Sequence, residues 1–219
     1  MLLLILNKLF LVLSFIIAVV IHEYSHGWMA LRLGDDTALE SGRLSLNPLT
    51  HIDPVGTILL PLLLMAVGFI PFGWAKAVPI NPYNLSNQKK DVALVSFAGP
   101  ASNFILATIA ALLLRVGGVV PSKTILLSAT QEISNPFLNF LFYLILVNLF
   151  LGFFNLMPIP PLDGSKIVSA YLPRNINWKY KKIAPYGILI IFILLYFNIL
   201  GSLIGGLVYI IIKLYSIGG

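Results

Sequence analysis

Residues 22–26 read His22-Glu23-Tyr24-Ser25-His26, two imidazoles four positions apart with a carboxylate beside the first. On an α-helix positions i and i+4 share a face, so both rings can grip one metal ion. Glu23, rotated about 100° from His22, stands ready as a base. This is the H-E-x-x-H spacing in which two imidazoles hold zinc and the glutamate handles the proton. The stretch before it, Leu9 to Ile21, carries a single weakly polar side chain, Ser14. An ionisable group at mid-depth in a bilayer costs roughly 2.5 kcal/mol or more and is rarely found there without a task.

The elements that position these residues are those of a membrane protein. Of 219 residues, 58% are hydrophobic and 10% charged, a balance that excludes an ordinary soluble domain. The chain reads as one all-α polytopic domain over 1–219. It has no cysteine, which removes disulfides, thiolate metal sites and cysteine nucleophiles. The net charge of +6 is scattered between apolar segments and forms no basic stripe, so nucleic acid is excluded as a partner and the lipid bilayer is expected instead. The first apolar run flows into the metal motif with no small-residue cleavage signal before it, and reads as a retained anchor.

Four apolar segments are long enough to cross a bilayer: 3–31, 92–116, 137–156 and 186–214. A fifth, 55–70, would form a helix of about 24 Å, short of the roughly 30 Å hydrocarbon core, and Pro61 interrupts it. If it crossed, the basic residues would divide nine against five. If it dips and returns, Arg32, Arg43, Lys76, Lys89, Lys90, Lys166, Arg174, Lys179, Lys181 and Lys182 share one side, ten against four. The stronger bias favours four spans plus a re-entrant segment near 55–82. It puts both termini outside the cytoplasm and the metal motif toward the cytoplasmic face, in the plasma membrane.

A catalytic zinc usually has three protein ligands, so two histidines leave one to find. The remaining imidazole is His51, and the other carboxylates are Asp35, Asp36, Glu40, Asp53, Asp91, Glu132 and Asp163. Glu132 falls on the far side. Asp35, Asp36 and Glu40 lie in a polar linker, Asp91 is placed to cap a span, and Asp53 before Pro54 is placed to cap the dipping helix. Asp163 follows the third span in Asn155-Leu156-Met157-Pro158-Ile159-Pro160-Pro161-Leu162-Asp163-Gly164, whose prolines end the helix. With four spans His26 and Asp163 lie at the same end of their helices, and with five they do not. Asp163 is therefore the expected third ligand, with His51 the alternative.

With H-E-x-x-H and N-x-x-P-x-P-P-x-D-G both in view, the chain resembles the site-2 protease family of intramembrane zinc metalloproteases, in its compact form without PDZ or CBS domains. Gly99-Pro100-Ala101-Ser102-Asn103, Gly42-Arg43-Leu44-Ser45-Leu46-Asn47-Pro48 and His51-Ile52-Asp53-Pro54 extend the likeness. The resemblance implies that His22, His26 and Asp163 bind one Zn2+ per chain and that Glu23 is the catalytic base. It implies that Asn155 contacts the backbone of a transmembrane protein substrate or the developing oxyanion. An asparagine ending a span can equally cap a broken helix.

A helical substrate hides its carbonyls, so cleavage requires unwinding and an edge that pairs with the freed backbone. The stretch from Pro71 to Pro82, containing Trp74, can supply that edge, or Trp74 can be an interfacial anchor. Asn103, one turn from Gly99, can line the substrate gap or make an interhelical hydrogen bond. Gly201 and Gly205 form a G-x-x-x-G expected to pack inside the bundle. The rival reading from another class is an ion- or proton-coupled transporter or channel that uses the buried His22, Glu23 and Asp163 as a relay.

Overall fold

The computed structural model describes residues 2–66, 73–118 and 136–216. Among them every regular element is helical. The long helices are α1 (Leu2–Arg32), α4 (Gln88–Val116) and α5 (Pro136–Asn155). Short pieces join them: α2 (Thr37–Glu40), a 3-10 turn (Pro48–His51), a wide π-helical turn (Pro54–Leu59) and α3 (Leu60–Ala66). After α5 come α6 (Asp163–Tyr171), α7 (Arg174–Lys181), α8 (Gly187–Tyr196) and α9 (Ile199–Tyr215).

Three helices are long and apolar enough to cross a membrane, or four if the bent pair ending in α8 and α9 is one span. The chain is an all-α integral membrane protein. The last span differs from the expected continuous 186–214 helix, because α8 and α9 meet at a 73° bend. Asn198 sits there at φ 55°, the left-handed region that asparagine tolerates better than most residues. The bare Gly201 leaves space for its side chain, since a Cβ at 201 would overlap Asn198 Oδ1. Gly205 has open space where a Cβ would project, so the G-x-x-x-G does not pack inside the bundle as expected.

The core forms where α4 and α5 pack together with α1 and α9. Ala107, Ala110 and Ala111 put a smooth face on α4, and Ile145 and Leu149 of α5 close onto it with Leu200, Ile204 and Ile212 of α9, all buried. Small residues let helices approach closely where lipid supplies no hydrophobic driving force. The opposite face of α1 leaves Leu9, Val12 and Phe15 exposed, as a lipid-facing surface requires.

Helix directions resolve the topology. Ascending α1, Ala18, His22 and His26 meet Asn103, Gly99 and Val95 in descending order on α4, so the two helices are antiparallel. α1 therefore ends and α4 begins at one end, and residues 73–76 lie back against 51–56 through Trp74 N–H on Gly56 O and Lys76 N–H on His51 O. Asp53 caps the dipping turn as expected, accepting from Val55 N–H and Gly56 N–H, with Pro54 first in the helix. The π turn becomes α-helix at Leu60, immediately before Pro61. The continuation beyond Ala66 lies outside the described residues, as does Glu132. At the far end Tyr215 of α9 bonds Thr108 and Arg115 of α4, so the bent pair also runs from the Asp163 end to the opposite one.

Candidate metal centre

The helical spacing of His22 and His26 presents both rings to α4, where each Nδ1 is taken up. His26 Nδ1–H donates to the Val95 carbonyl at 2.7 Å, and His22 Nδ1–H donates to Asn103 Oδ1 at 2.6 Å. A carbonyl can only accept, so the proton is on Nδ1 and the Nε2 lone pair points inward. Pro100 in the same helix has no N–H, which leaves without a helix partner the carbonyl of Ser96, the residue next to Val95.

Asn103 is held in turn. Its Nδ2 donates to Ala18 O (3.1 Å) and Asn148 Oδ1 (2.8 Å), and Asn148 Nδ2 donates to Leu144 O (2.8 Å). Both asparagines are fully buried. This relay leaves Asn103 one orientation, with its oxygen toward His22. Of the two readings of Asn103, the structure shows the interhelical hydrogen bond, with its amide fully engaged between α1, α4 and α5.

Asp163 closes the set. The prolines after Asn155 end α5, and the chain turns back to start α6 at Asp163. Gly164 is required at this turn, as a Cβ would overlap the Leu156 carbonyl. Asp163 Oδ2 lies 3.2 Å from His22 Nε2 and 3.1 Å from His26 Nε2, and the two nitrogens are 3.0 Å apart. Ligands about 2.0 Å from a tetrahedral zinc stand roughly 3.3 Å from one another. One proton on one nitrogen would satisfy a single edge of this triangle, whereas a cation at its centre satisfies all three.

The backbone makes room for that cation. A Cβ on Gly99 would stand 2.7 Å from His22 Nε2 and closer still to His26 Nε2, so the missing side chain leaves the metal position open. The residues present fit zinc.

Glu23 lies between the histidines in sequence, and its Oε2 accepts Val78 N–H at 3.0 Å. Val78 belongs to a stretch without regular structure, residues 73–80, that reaches α1 at Glu23. Buried Gly27 admits it against α1, with Val78 Cγ1 only 3.1 Å from where a Cβ would be. Trp74 N–H donates to Gly56 O and Lys76 N–H to His51 O, while Thr57 Oγ1 donates to Trp74 O and Arg43 Nη2 to Lys76 O. At the far end Asn81 N–H donates to Asp35 Oδ2 at 2.7 Å. The fully buried Asp35 also takes Thr37 and Asn84, and these hydrogen bonds overcome burial and lower its pKa.

Trp74 itself is partly exposed and lays its indole on Gly56, where any Cβ would overlap the ring. Asn155 turns its Nδ2 back to Leu151 O at 3.0 Å and makes no hydrogen bond to the three converging donors. His51 is buried and donates from Nε2 to Ser45 O, outside the converging group. Two participants carried overlooked signals: Asn148 is a carboxamide within an apolar span, and Lys166 is one helical turn from Asp163. Val95 had none, since any residue provides a carbonyl.

The fold and the donor set define a membrane metalloprotease. A family model for Peptidase family M50 matches residues 10–196. The chain is 37% identical to YwhC of Bacillus subtilis over 88% of its own length and 82% of that protein. It is 31% identical to Rip2 of Mycolicibacterium smegmatis over 83% of its length and 64% of that protein. Against Rip2 of Mycobacterium tuberculosis it is 30% identical over 73% of its length and 56% of that protein. All three relatives bear names that assign them to the zinc metalloproteases. The chain spans 64% and 56% of the lengths of the two Rip2 proteins. No solved structure matches it. The chain belongs to Peptidase family M50, the site-2 protease family, and zinc is its metal.

Proposed function

We propose that this protein hydrolyses peptide bonds of transmembrane or membrane-associated proteins at a zinc site within the bilayer, with His22, His26 and Asp163 as ligands and Glu23 as general base. The observation that carries this reading is the convergence of three buried donor atoms on one point inside the helix bundle, with a carboxylate adjacent in sequence. When bound, zinc at such a site lowers the pKa of a water and polarises a carbonyl. Glu23 Oε2 is fixed by Val78 N–H, which leaves Oε1 to take a proton from the attacking water and return it to the leaving amine.

The stretch over residues 73–80 supports a peptide-binding role. Trp74, Lys76 and Val78 turn their N–H groups into the protein, where each has a partner. The alternate residues Ala75 and Ala77 have no N–H partner among the described residues, although Arg43 Nη2 reaches the Ala77 carbonyl at 3.4 Å. An unwound substrate could add to this edge, with pairing on one side and the metal beyond it. Trp74 would lie at the start of the edge and Asn155 near the metal loop.

The charge asymmetry of ten against four supports an active site toward the cytoplasmic face of the plasma membrane. A transport relay has less support, since the three donors meet at one point rather than lining a path. The test is to incubate purified protein in detergent with single-span substrates, with and without a zinc chelator. Chelator-sensitive fragments cut within or near the span are expected. Intact substrate under conditions of full zinc loading would sink the proposal.

A further inference from the structure

The two oxygens of Asp163 have different surroundings. Oδ2 faces the histidine nitrogens at 3.2 and 3.1 Å, while Oδ1 points away from them to Lys166 Nζ at 2.9 Å. Lys166 follows Asp163 by one helical turn on α6, the spacing that brings side chains on one face together. Its side chain is 50% exposed and that of Asp163 is 8% exposed, so the ammonium reaches the buried carboxylate from the solvent side. Ion pairs with an exposed lysine add little to stability. The consequence of this one is geometric.

A carboxylate can ligate a metal through one oxygen or through both. Nothing else bonds Oδ1 among the described residues, so without the lysine it could rotate inward. We propose that Lys166 is a positioning residue that confines Asp163 to a single ligating oxygen. Three protein donors then leave the open position that a catalytic zinc site needs, which a second carboxylate oxygen would fill. The ammonium also draws electron density from the carboxylate, so Asp163 neutralises less of the cation's charge. Lys166 touches neither substrate nor metal. The assignment rests on Asp163 being a zinc ligand.

The test is the zinc-minus-apo difference infrared spectrum of the purified protein, for wild type, Asp163→Asn, Lys166→Met and Lys166→Arg. Wild type should show carboxylate bands, absent in Asp163→Asn, with the wide separation of asymmetric and symmetric stretches that one-oxygen ligation gives. Lys166→Met should narrow that separation toward two-oxygen ligation, and Lys166→Arg should restore it. Lys166→Met should still bind one zinc but lose about 10- to 100-fold in kcat, with KM little changed. A Lys166→Met spectrum identical to wild type would overturn the role of Lys166. Bands that persist in Asp163→Asn would instead overturn the ligand assignment beneath it. Should Lys166→Met fail to fold, Lys166→Gln carries the same measurement.

Discussion

His22 and Asn103 meet across α1 and α4 in a 2.6 Å hydrogen bond that fixes which nitrogen of the imidazole can reach the metal. Asn103 cannot turn, because Ala18 O and Asn148 Oδ1 both hold its amide nitrogen. Replacing Asn103 with leucine keeps the volume and removes the acceptor, freeing the ring to change tautomer. Zinc affinity should fall about 10- to 100-fold, as for other partners that orient a ligand. Competition with a chromophoric chelator measures it, and unchanged affinity would show that the relay is only structural.

Gly99→Ala should be more severe. The methyl group would sit where the donor lone pairs converge, so the variant is expected to purify as a folded helical protein with far less than one zinc. Metal analysis beside far-ultraviolet circular dichroism checks both halves. Full zinc content would mean the metal lies off the Gly99 side.

Glu23→Gln keeps the side chain's length and its acceptor for Val78 N–H but loses the basic oxygen. Zinc content should match wild type while cleavage of a single-span substrate drops by at least about 100-fold. Cleavage at the wild-type rate would remove Glu23 from the mechanism.

Asp163→Ala and His51→Ala separate the two candidates for third ligand. Asp163→Ala should lose zinc, because it removes the oxygen that both imidazoles face. His51→Ala should retain it, since His51 instead bonds Ser45 O. The reverse pattern would exchange their assignments.

Asp35 should make the fold acid-sensitive. Its folded pKa lies below its ordinary value, so its stabilisation is present above an unfolded pKa of about 3.9 and is lost as pH falls through the folded value. Asp35→Asn should be less stable at neutral pH by roughly 1–3 kcal/mol, because buried donors lose their acceptor. Thermal unfolding across pH should show this gap closing below about pH 4. A gap independent of pH would point to packing alone.

Much of the site was legible because it is local. The i, i+4 histidines, the neighbouring glutamate and the Asp53 cap before Pro54 each depend on a few consecutive residues whose geometry any helix reproduces. Asp163 was reached by elimination, since few ionisable residues occur in a chain this apolar. The interhelical hydrogen bond of Asn103 was legible but its partners were not, because an asparagine in a span advertises a hydrogen bond without saying to whom. The bend at Asn198 was missed because the flanking residues are uniformly apolar, and hydropathy is indifferent to one residue's φ.

The sequence by itself determined the class of chemistry, the metal and the membrane setting, because these follow from residue types and short-range spacing. The tertiary structure decided which atoms converge. Only antiparallel packing of α1 on α4 assigns Val95 O and Asn103 Oδ1 to the two histidines and sets bare Gly99 beneath them. The same packing starts α4 at the end where α1 finishes. These contacts join positions tens of residues apart, and only the packing of the helices in three dimensions selects them.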